Sequence, residues 1–230
     1  MTMLTNSDLL ELWERGSGLH PLDRALLALA WALPGEPWEA LAGWPLGRRN
    51  GALAALHQTC FGGALSGWIA CPQCGERLEF SFDAGMPIEE RNEGAERPTL
   101  NGRSFRPLTS RDLAAIAAES DERAAARKLL RLCSGEESEF TDEELDAYSD
   151  LLAETDPLAE TLLDFACAAC DHRWREPLDI AEWLWAEIEA RARRLLHDVH
   201  TLAGAYSWTE REILSLSDTR RAIYLEMVHG

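Results

Sequence analysis

The sequence predicts an α+β fold that is mostly α-helical, and two observations lead to this prediction. Apolar residues recur with the spacing of amphipathic helices over most of residues 1–64 and again over residues 179–203. Between these regions, two short segments alternate apolar and polar residues on either side of a Cys-x-x-Cys pair, which is the pattern of two β-hairpins. The 230-residue chain is 46% hydrophobic and 27% charged, an ordinary globular composition and not that of a disordered chain.

Residues 1–64 are predicted to form an N-terminal helical region. Its second helix begins after His20, because Pro21 then lies in the first turn, where its missing N–H leaves no hydrogen bond unmade. That helix ends before Pro34, since a proline ring does not fit a helix interior. Four helices are predicted in this region. The first begins near residue 8, and the others cover residues 21–33, 38–42 and about 51–59.

Residues 65–83 contain the first cysteine pair, Cys71 and Cys74. In a metal-binding knuckle, backbone N–H groups around the second cysteine point at the thiolates, and Gly75 permits the tight turn that this arrangement needs. Residues 67–70 and 77–82 are predicted to be the strands that enter and leave the turn.

Residues 160–178 contain the second pair, Cys167 and Cys170, between two further predicted strands. No glycine follows this pair, but Asp171 tolerates a left-handed backbone better than most residues do. The two segments therefore predict the same strand, knuckle and strand, although residues 75–166 lie between the two cysteine pairs.

Four thiolates at this spacing form a complete tetrahedral shell for zinc. In a reducing compartment, cysteines are also more often thiols or metal ligands than disulfides. We therefore predict a split four-cysteine zinc-ribbon-like β module, made of residues 65–83 and 160–178, that holds a structural zinc ion. Because all four ligands are thiolates, zinc has no open position for a catalytic water. The predicted ligands are Cys71, Cys74, Cys167 and Cys170.

Three alternatives to this site stay open in the sequence. In the first, the two pairs are unrelated turns with incidental thiols. In the second, a pair is a redox dithiol, which requires a helix N-terminus beneath its first cysteine to lower the thiol pKa. In the third, His172 replaces one cysteine as a ligand instead of lying beside the site or on the surface.

Residues 84–159 are predicted to be a hairpin and helical insertion between the two halves of the module. Residues 84–98 are polar with glycine and proline, which is typical of a loop, and Asn101-Gly102 indicates a hairpin with arms at 97–100 and 103–107. Thr109 and Thr141 are each followed three residues later by an acidic residue, so each is predicted to begin a helix with a capping box.

Residues 179–230 are predicted to be a C-terminal helical region that begins with the strongest helix of the chain. Its apolar residues form a continuous stripe: Ile180, Leu184, Ile188, Ala192, Leu195, Val199 and Leu202. Thr209 begins another capped helix, and Ser217 or Asp218 caps the last one. We expect the four regions to pack into one compact body.

The chain carries 40 acidic and 22 basic residues, a formal net charge of −18. Nucleic acid and anionic membranes repel such a chain, so we expect neither as a partner. The longest apolar run, residues 25–33, is too short to span a membrane. Because the first residues lack the basic start and apolar core of a signal peptide, we expect a cytoplasmic protein.

Common catalytic motifs are absent from the sequence, which contains no G-x-G-x-x-G, phosphate-binding loop, G-x-S-x-G or H-E-x-x-H. His197 and His200 lie one turn apart on the long predicted helix, but no carboxylate pair accompanies them. We expect these two residues on a solvated face, and we expect that the protein is not an enzyme.

Several segments together are similar to a known family. They are residues 20–27, 45–49, 71–80 and 105–113, and most distinctively residues 179–188 through 214–225. The chain resembles baseplate hub assembly chaperones, which are encoded with contractile phage tails and phage-tail-like injection systems. The resemblance does not extend to residues 83–98 and 133–158. It implies a helper in building the baseplate hub, with baseplate or tail-hub proteins as partners, and it implies no catalytic site.

Partner binding is expected to use Trp, Tyr and Arg side chains of the C-terminal region, since these residue types dominate interface hot spots. Core packing is the alternative explanation for each tryptophan. The candidates are Trp183, Trp185, Trp208, Arg220, Arg221 and Tyr224.

Two other functions stay open: a structural baseplate component retained in the particle, and a zinc-ribbon regulator that binds nucleic acid. The second rests on residues 209–216, which resemble the first helix of a helix-turn-helix.

Overall fold

The computed structural model describes residues 3–83 and 97–229 of the chain. Its helices are α1 (Asn6–Gly16), α2 (Pro21–Ala32), α3 (Trp38–Ala42), α4 (Leu46–Phe61), α5 (Ser110–Ile116), α6 (Glu122–Ser134), α7 (Asp142–Thr155), α8 (Ile180–Tyr206), α9 (Glu210–Leu214) and α10 (Asp218–His229). The strands are β1 (Ala64–Ala70), β2 (Arg77–Asp83), β3 (Thr99–Leu100), β4 (Arg103–Ser104), β5 (Thr161–Ala166) and β6 (Arg173–Leu178). The mixed fold with small antiparallel hairpins and a long C-terminal helix is confirmed. Residues 84–96 of the predicted loop lie outside the described part.

The long helix α8 forms the centre of the first hydrophobic core, where it packs against α1, α2 and α4. The predicted stripe is confirmed, since six of its seven residues are buried and Val199 packs against the same core. Fully buried leucines from the N-terminal helices face it, and each contributes about 2 kcal/mol by leaving water. These leucines are Leu12, Leu29, Leu41, Leu53 and Leu56.

A second, smaller core lies within the insertion, between α5, α6 and α7. Its centre is Phe105, whose ring lies 4.9 Å from that of Tyr148 and 6.2 Å from that of Phe140. Leu46 at the start of α4 belongs to this core, while Leu53 further along the same helix belongs to the first. Helix α4 therefore joins the two cores.

A buried polar seam follows the first turns of α4 between the two cores. The Gly47 N–H donates to Asp156 Oδ2 at 3.1 Å, and the Arg49 guanidinium donates to Ser110 Oγ at 3.2 Å. Asn50 Nδ2 donates to the carbonyl of Leu158 at 2.8 Å. Gly47, Arg49 and Asn50 thus each donate to a residue of the insertion, and these hydrogen bonds fix how the insertion sits on α4.

Helix α4 begins at Leu46, so the start predicted at residue 51 is wrong. The N-cap Pro45 offers no side chain to the first turn, and Asp156 supplies the missing acceptor from a distant part of the chain. Burial raises the pKa of the Asp156 carboxyl above its usual value, against the effect of the Gly47 N–H, which lowers it. A Cβ on Gly47 would overlap this carboxylate, so only glycine fits at this position.

The other predicted helix ends agree closely with the structure. Capping boxes are present at Thr109, Thr141 and Thr209, and Ser217 Oγ accepts the backbone N–H of Arg220 at 3.3 Å. The hairpin in the insertion is shorter than predicted, because the chain leaves β4 at Ser104 to bury Phe105 in the second core. Within the described ranges, no helix has both the length and the apolar character needed to cross a bilayer.

Candidate metal centre

The two Cys-x-x-Cys segments adopt the same backbone turn. In the first, the Cys71 N–H donates to the Glu76 carbonyl at 2.8 Å, and the Gly75 N–H donates to the Cys71 carbonyl at 2.9 Å. In the second, the N–H of Cys167 and that of Asp171 make the equivalent bonds, both at 2.9 Å. Gly75 has a φ of +76° and Asp171 a φ of +57°, so both occupy the left-handed region, as expected from their residue types.

The four cysteine sulfurs come together in one cluster, although the two pairs lie far apart in sequence. The Sγ atoms of Cys71 and Cys170 are 3.7 Å apart, and those of Cys74 and Cys167 are 3.6 Å apart. All four lie within 4.8 Å of one another, an arrangement that could hold a metal ion. Cys71 and Cys167 are buried, Cys170 is half-buried and Cys74 is exposed.

The neighbouring thiols lower the pKa of Cys71 and raise that of Cys170. Burial raises the pKa of Cys71, but the N–H groups of Cys74 and Gln73, together with hydrogen bonds to the thiols of Cys170 and Cys74, outweigh it and the pKa falls to about 7. The His172 N–H lowers the pKa of Cys170, but burial and the other three thiols outweigh it and raise the pKa to about 12. Four thiolates crowded together repel one another, so a cation among them stabilises the fully deprotonated set.

Two antiparallel hairpins support the cluster, one pairing β1 with β2 and the other β5 with β6. Aromatic rings join them beneath the cysteines: Phe80 meets Phe165 edge to face at 5.3 Å between ring centres. Phe165 in turn stacks on Trp174 at 5.4 Å. The hairpins form separate two-stranded sheets, so these rings and the cysteine cluster, and not a shared ladder, hold them together.

Trp183 of α8 packs against the first hairpin and so joins it to the helices. Its ring lies 5.7 Å from that of Phe80, and it lies directly over Gly67 of β1. A Cβ on Gly67 would lie only 2.5 Å from Trp183 Cη2, so the close approach of this strand to the indole requires glycine.

The structure bears on the alternatives to a shared metal site. The four-thiol group that could hold a metal does not include His172, which stacks on Trp174 at 5.7 Å between ring centres. Strands flank both cysteine pairs, so neither pair lies at a helix N-terminus of the kind that activates a redox dithiol.

Two of the predicted partner-binding residues are buried in this conformation. Trp185 is 6% exposed and packs over Gly16, with the Arg24 guanidinium 4.9 Å from its ring centre. Arg221 is 3% exposed and donates to Asp198 Oδ2 at 2.9 Å. Both side chains hold the fold together here and offer no contact area to a partner.

The remaining candidates lie at or near the surface, at the end of α8 and on α10. Trp208 stacks on Tyr206 at 4.7 Å and meets Tyr224 edge to face at 4.8 Å, and all three are half-buried. Arg220 is exposed. The half-buried Trp183 belongs to the metal module instead, as its contacts show.

Two exposed apolar features are missing from the sequence predictions. Trp68 on the outer face of β1 is 58% exposed, and Arg77 lies over its ring at 4.5 Å. Side chains alternate between the two faces of β1, so residue 68 points away from the face that contains the buried Leu65. This alternation could have predicted that Trp68 is exposed. Met227 and Ile223 of α10 are 65% and 45% exposed.

Comparisons of the chain with models of protein families, with curated proteins and with solved structures find no match. The membership in the baseplate hub chaperones therefore stays a prediction.

Proposed function

We propose that the four cysteines bind one structural zinc ion and that the protein is a non-enzymatic assembly chaperone or adaptor in the cytoplasm. Its client is the baseplate hub of a contractile phage tail or tail-like injection system. The observation that carries the zinc site is the four-thiol cluster itself. Tetrahedral zinc with bonds of about 2.3 Å places its sulfurs about 3.8 Å apart, close to the 3.7 Å between Cys71 and Cys170 and the 3.6 Å between Cys74 and Cys167.

The proposed zinc ion contributes to folding because it joins distant parts of the chain. Cys71 and Cys170 are 99 positions apart, and closing a loop of that length removes unfolded-state entropy worth about 4 to 5 kcal/mol. This is a large fraction of the stability of a typical domain. The ion thereby keeps the insertion and the C-terminal helices in a set arrangement around α8.

Metal content and spectroscopy test the zinc site. We expect one zinc per chain and, after cobalt(II) substitution, the absorption of a tetrahedral thiolate complex. Cys170→Ser should lose the ion and about 4 kcal/mol of unfolding free energy. Cys60→Ser, a half-buried cysteine outside the cluster, is the matched control and should retain both. A Cys71→Ser/Cys74→Ser variant that still binds zinc would contradict a site shared by the two knuckles.

The surface of α10 supports the chaperone role. Ion pairs hold this helix on α8, namely Arg221 with Asp198 and Asp218 with Arg191. Three of its aliphatic side chains, at positions 223, 227 and 228, are exposed. We define the α10 surface as Arg220, Ile223, Met227 and Val228, all exposed. Residues 220, 223 and 227 share one face by helical spacing, and an arginine with large apolar neighbours is a typical hot-spot composition.

Helix α10 is a poor candidate for the base-reading helix of a nucleic-acid regulator. Arg220 and Arg221 are the basic residues of α10, and Arg221 is buried against Asp198. Helix α10 therefore exposes one arginine, which is too little positive charge to attract phosphates to a chain of charge −18.

Co-expression with the hub protein of the same gene cluster tests the chaperone role. We expect the chain to raise the yield of soluble hub protein, to co-purify with it and to be absent from finished particles. Ile223→Asp/Met227→Asp should lose co-purification, whereas Leu132→Asp, at an exposed leucine on α6, should retain it. A fixed copy number in purified particles would instead identify a structural component, and no effect on the hub protein would refute the proposal.

A further inference from the structure

We propose that the four-thiol cluster is an oxidative modification site, at which a peroxide forms two disulfides that cross between the knuckles. One joins Cys71 to Cys170 and the other joins Cys74 to Cys167. The inference deepens the proposed function, because it rests on the same four thiols and states what they become when the zinc is lost by oxidation.

The sulfurs of the crossed pairs lie close enough to join. They are separated by 3.7 Å in Cys71 and Cys170 and by 3.6 Å in Cys74 and Cys167. A disulfide bond is about 2.05 Å long, so each crossed pair must approach by only about 1.6 Å. The edge-to-face contact of Phe80 with Phe165 keeps the two hairpins in this relation while the sulfurs move.

Exposure gives the two members of each crossed pair different roles. Cys74 is exposed and Cys170 is half-buried, whereas Cys71 and Cys167 are each 2% exposed. Each crossed pair thus contains one thiol that a peroxide can reach and one that is shielded from it. All four sulfurs are thiolates in the proposed zinc site, so access decides which of them reacts: the accessible sulfur is oxidised first, and the shielded sulfur beside it completes the bond.

The reaction balances with one peroxide per disulfide. The sulfur of Cys74 attacks one oxygen of hydrogen peroxide, the O–O bond breaks, and a sulfenic acid and one water form. The sulfur of Cys167 then attacks the sulfenic sulfur, the S–O bond breaks, and a second water leaves. Because the zinc-bound sulfurs start as thiolates, solvent supplies one proton for each of the two waters. Two thiols are oxidised by two electrons, and the peroxide is reduced by two. Cys170 and Cys71 react in the same way with a second peroxide.

The crossed pairing has a consequence that a pairing inside each knuckle does not have. The crossed bonds join residues that are 99 and 93 positions apart, so the two hairpins stay attached after the metal leaves. Disulfides within each Cys-x-x-Cys turn would instead leave the hairpins with no covalent cross-link between them. Oxidation at this site therefore replaces the metal link by a covalent one and preserves the arrangement around α8.

The zinc-loaded full-length protein tests this inference. Two molar equivalents of hydrogen peroxide are added, released zinc is followed with a colour-forming chelator, and the remaining thiols are alkylated. We expect a band that migrates faster in non-reducing electrophoresis and returns to normal with dithiothreitol, since a crossed disulfide closes a long loop. Peptide mapping should join Cys71 with Cys170 and Cys74 with Cys167. Joins inside the knuckles, or sulfinic acids without disulfides, would overturn the inference.

Paired serine variants provide matched controls with two cysteines removed in each. Cys71→Ser/Cys170→Ser retains one crossed pair and should still give the fast band, whereas Cys71→Ser/Cys74→Ser retains only a knuckle pair and should not. The wild-type peptide map does not depend on either variant folding. Zinc measured before oxidation separates the two proposals. Crossed disulfides in a protein without zinc would refute the zinc site alone, and zinc with disulfides inside the knuckles would refute this inference alone.

Discussion

Replacing Gly67 with alanine tests whether Trp183 fixes the first hairpin on α8. The added Cβ would lie 2.5 Å from Trp183 Cη2 and 3.2 Å from Phe80 Cζ. Carbon atoms in contact prefer about 3.5 to 4.0 Å, so the indole must retreat by about 1 Å. Phe80 lies against the same indole, 5.7 Å between ring centres, and limits that movement.

We expect this glycine-to-alanine substitution to lower the unfolding free energy, although such a substitution in a strand usually raises it. Without a clash, alanine in a strand interior is better than glycine by about 0.5 to 1 kcal/mol. Overpacking costs about 1 to 3 kcal/mol, so we expect a net loss of about 1 kcal/mol in unfolding free energy. For a protein of this size that corresponds to a decrease in Tm of about 2 to 4 °C.

Urea denaturation and thermal melts of four variants measure the effect, namely Gly67→Ala, Gly204→Ala, Trp183→Leu and Gly67→Ala/Trp183→Leu. Gly204→Ala is the matched control, since nothing lies within 4 Å of a Cβ at this helical position, and it should be about 1 kcal/mol more stable than wild type. In Gly67→Ala/Trp183→Leu the smaller side chain makes room, so the cost of the alanine should vanish relative to Trp183→Leu. A Gly67→Ala protein more stable than wild type would refute the reasoning.

Three further perturbations address the seam, a buried histidine and the α8–α10 contact. Asp156→Ala leaves the Gly47 N–H without an acceptor and should cost about 1 to 3 kcal/mol in urea unfolding, whereas Asp156→Asn retains an oxygen and should cost less; equal losses would contradict the capping role. Burial lowers the pKa of His57, so the unfolded chain binds the proton more tightly, and stability should decrease as pH falls below 6.5, by up to about 1.4 kcal/mol per pH unit. His57→Leu should reduce that slope between pH 6.5 and 5, and an unchanged slope would show that other groups cause it. Arg221→Ala leaves Asp198 buried without its cation and should cost about 3 to 5 kcal/mol in the isolated protein; a change in client binding with unchanged stability would instead make Arg221 a contact residue.

The parts that sequence predicts well depend on local spacing. Both knuckles follow from the cysteine positions together with a glycine or aspartate that accepts a left-handed backbone, and α8 follows from its apolar stripe. The meeting of the two knuckles is also predictable, because two thiolates alone do not complete a tetrahedral shell. Here the chemistry of the ligand supplies the long-range information that propensities lack.

The parts that sequence does not predict depend on one partner far away in the chain. Nothing near Gly47 indicates that Asp156 caps its helix, and nothing near Gly67 indicates that Trp183 lies over it. The same limit applies to the tryptophans, since residue type alone does not say which side of a helix faces the core. Trp185 is buried and Trp68 is exposed for reasons of register and not of composition.

The central position of α8 also affects how the chain folds during its synthesis. The last of the N-terminal helices, α4, ends at Phe61, whereas the apolar stripe of α8 that covers these helices begins at Ile180. Ribosomes add about 5 to 20 residues per second, so the leucines of the N-terminal helices wait on the order of 10 s before α8 is made. During that interval the nascent chain exposes the surface that later becomes its own core. We therefore expect the newly made N-terminal half to depend on general chaperones, and ribosome profiling of chaperone-bound nascent chains should show release only after residue 202 has emerged.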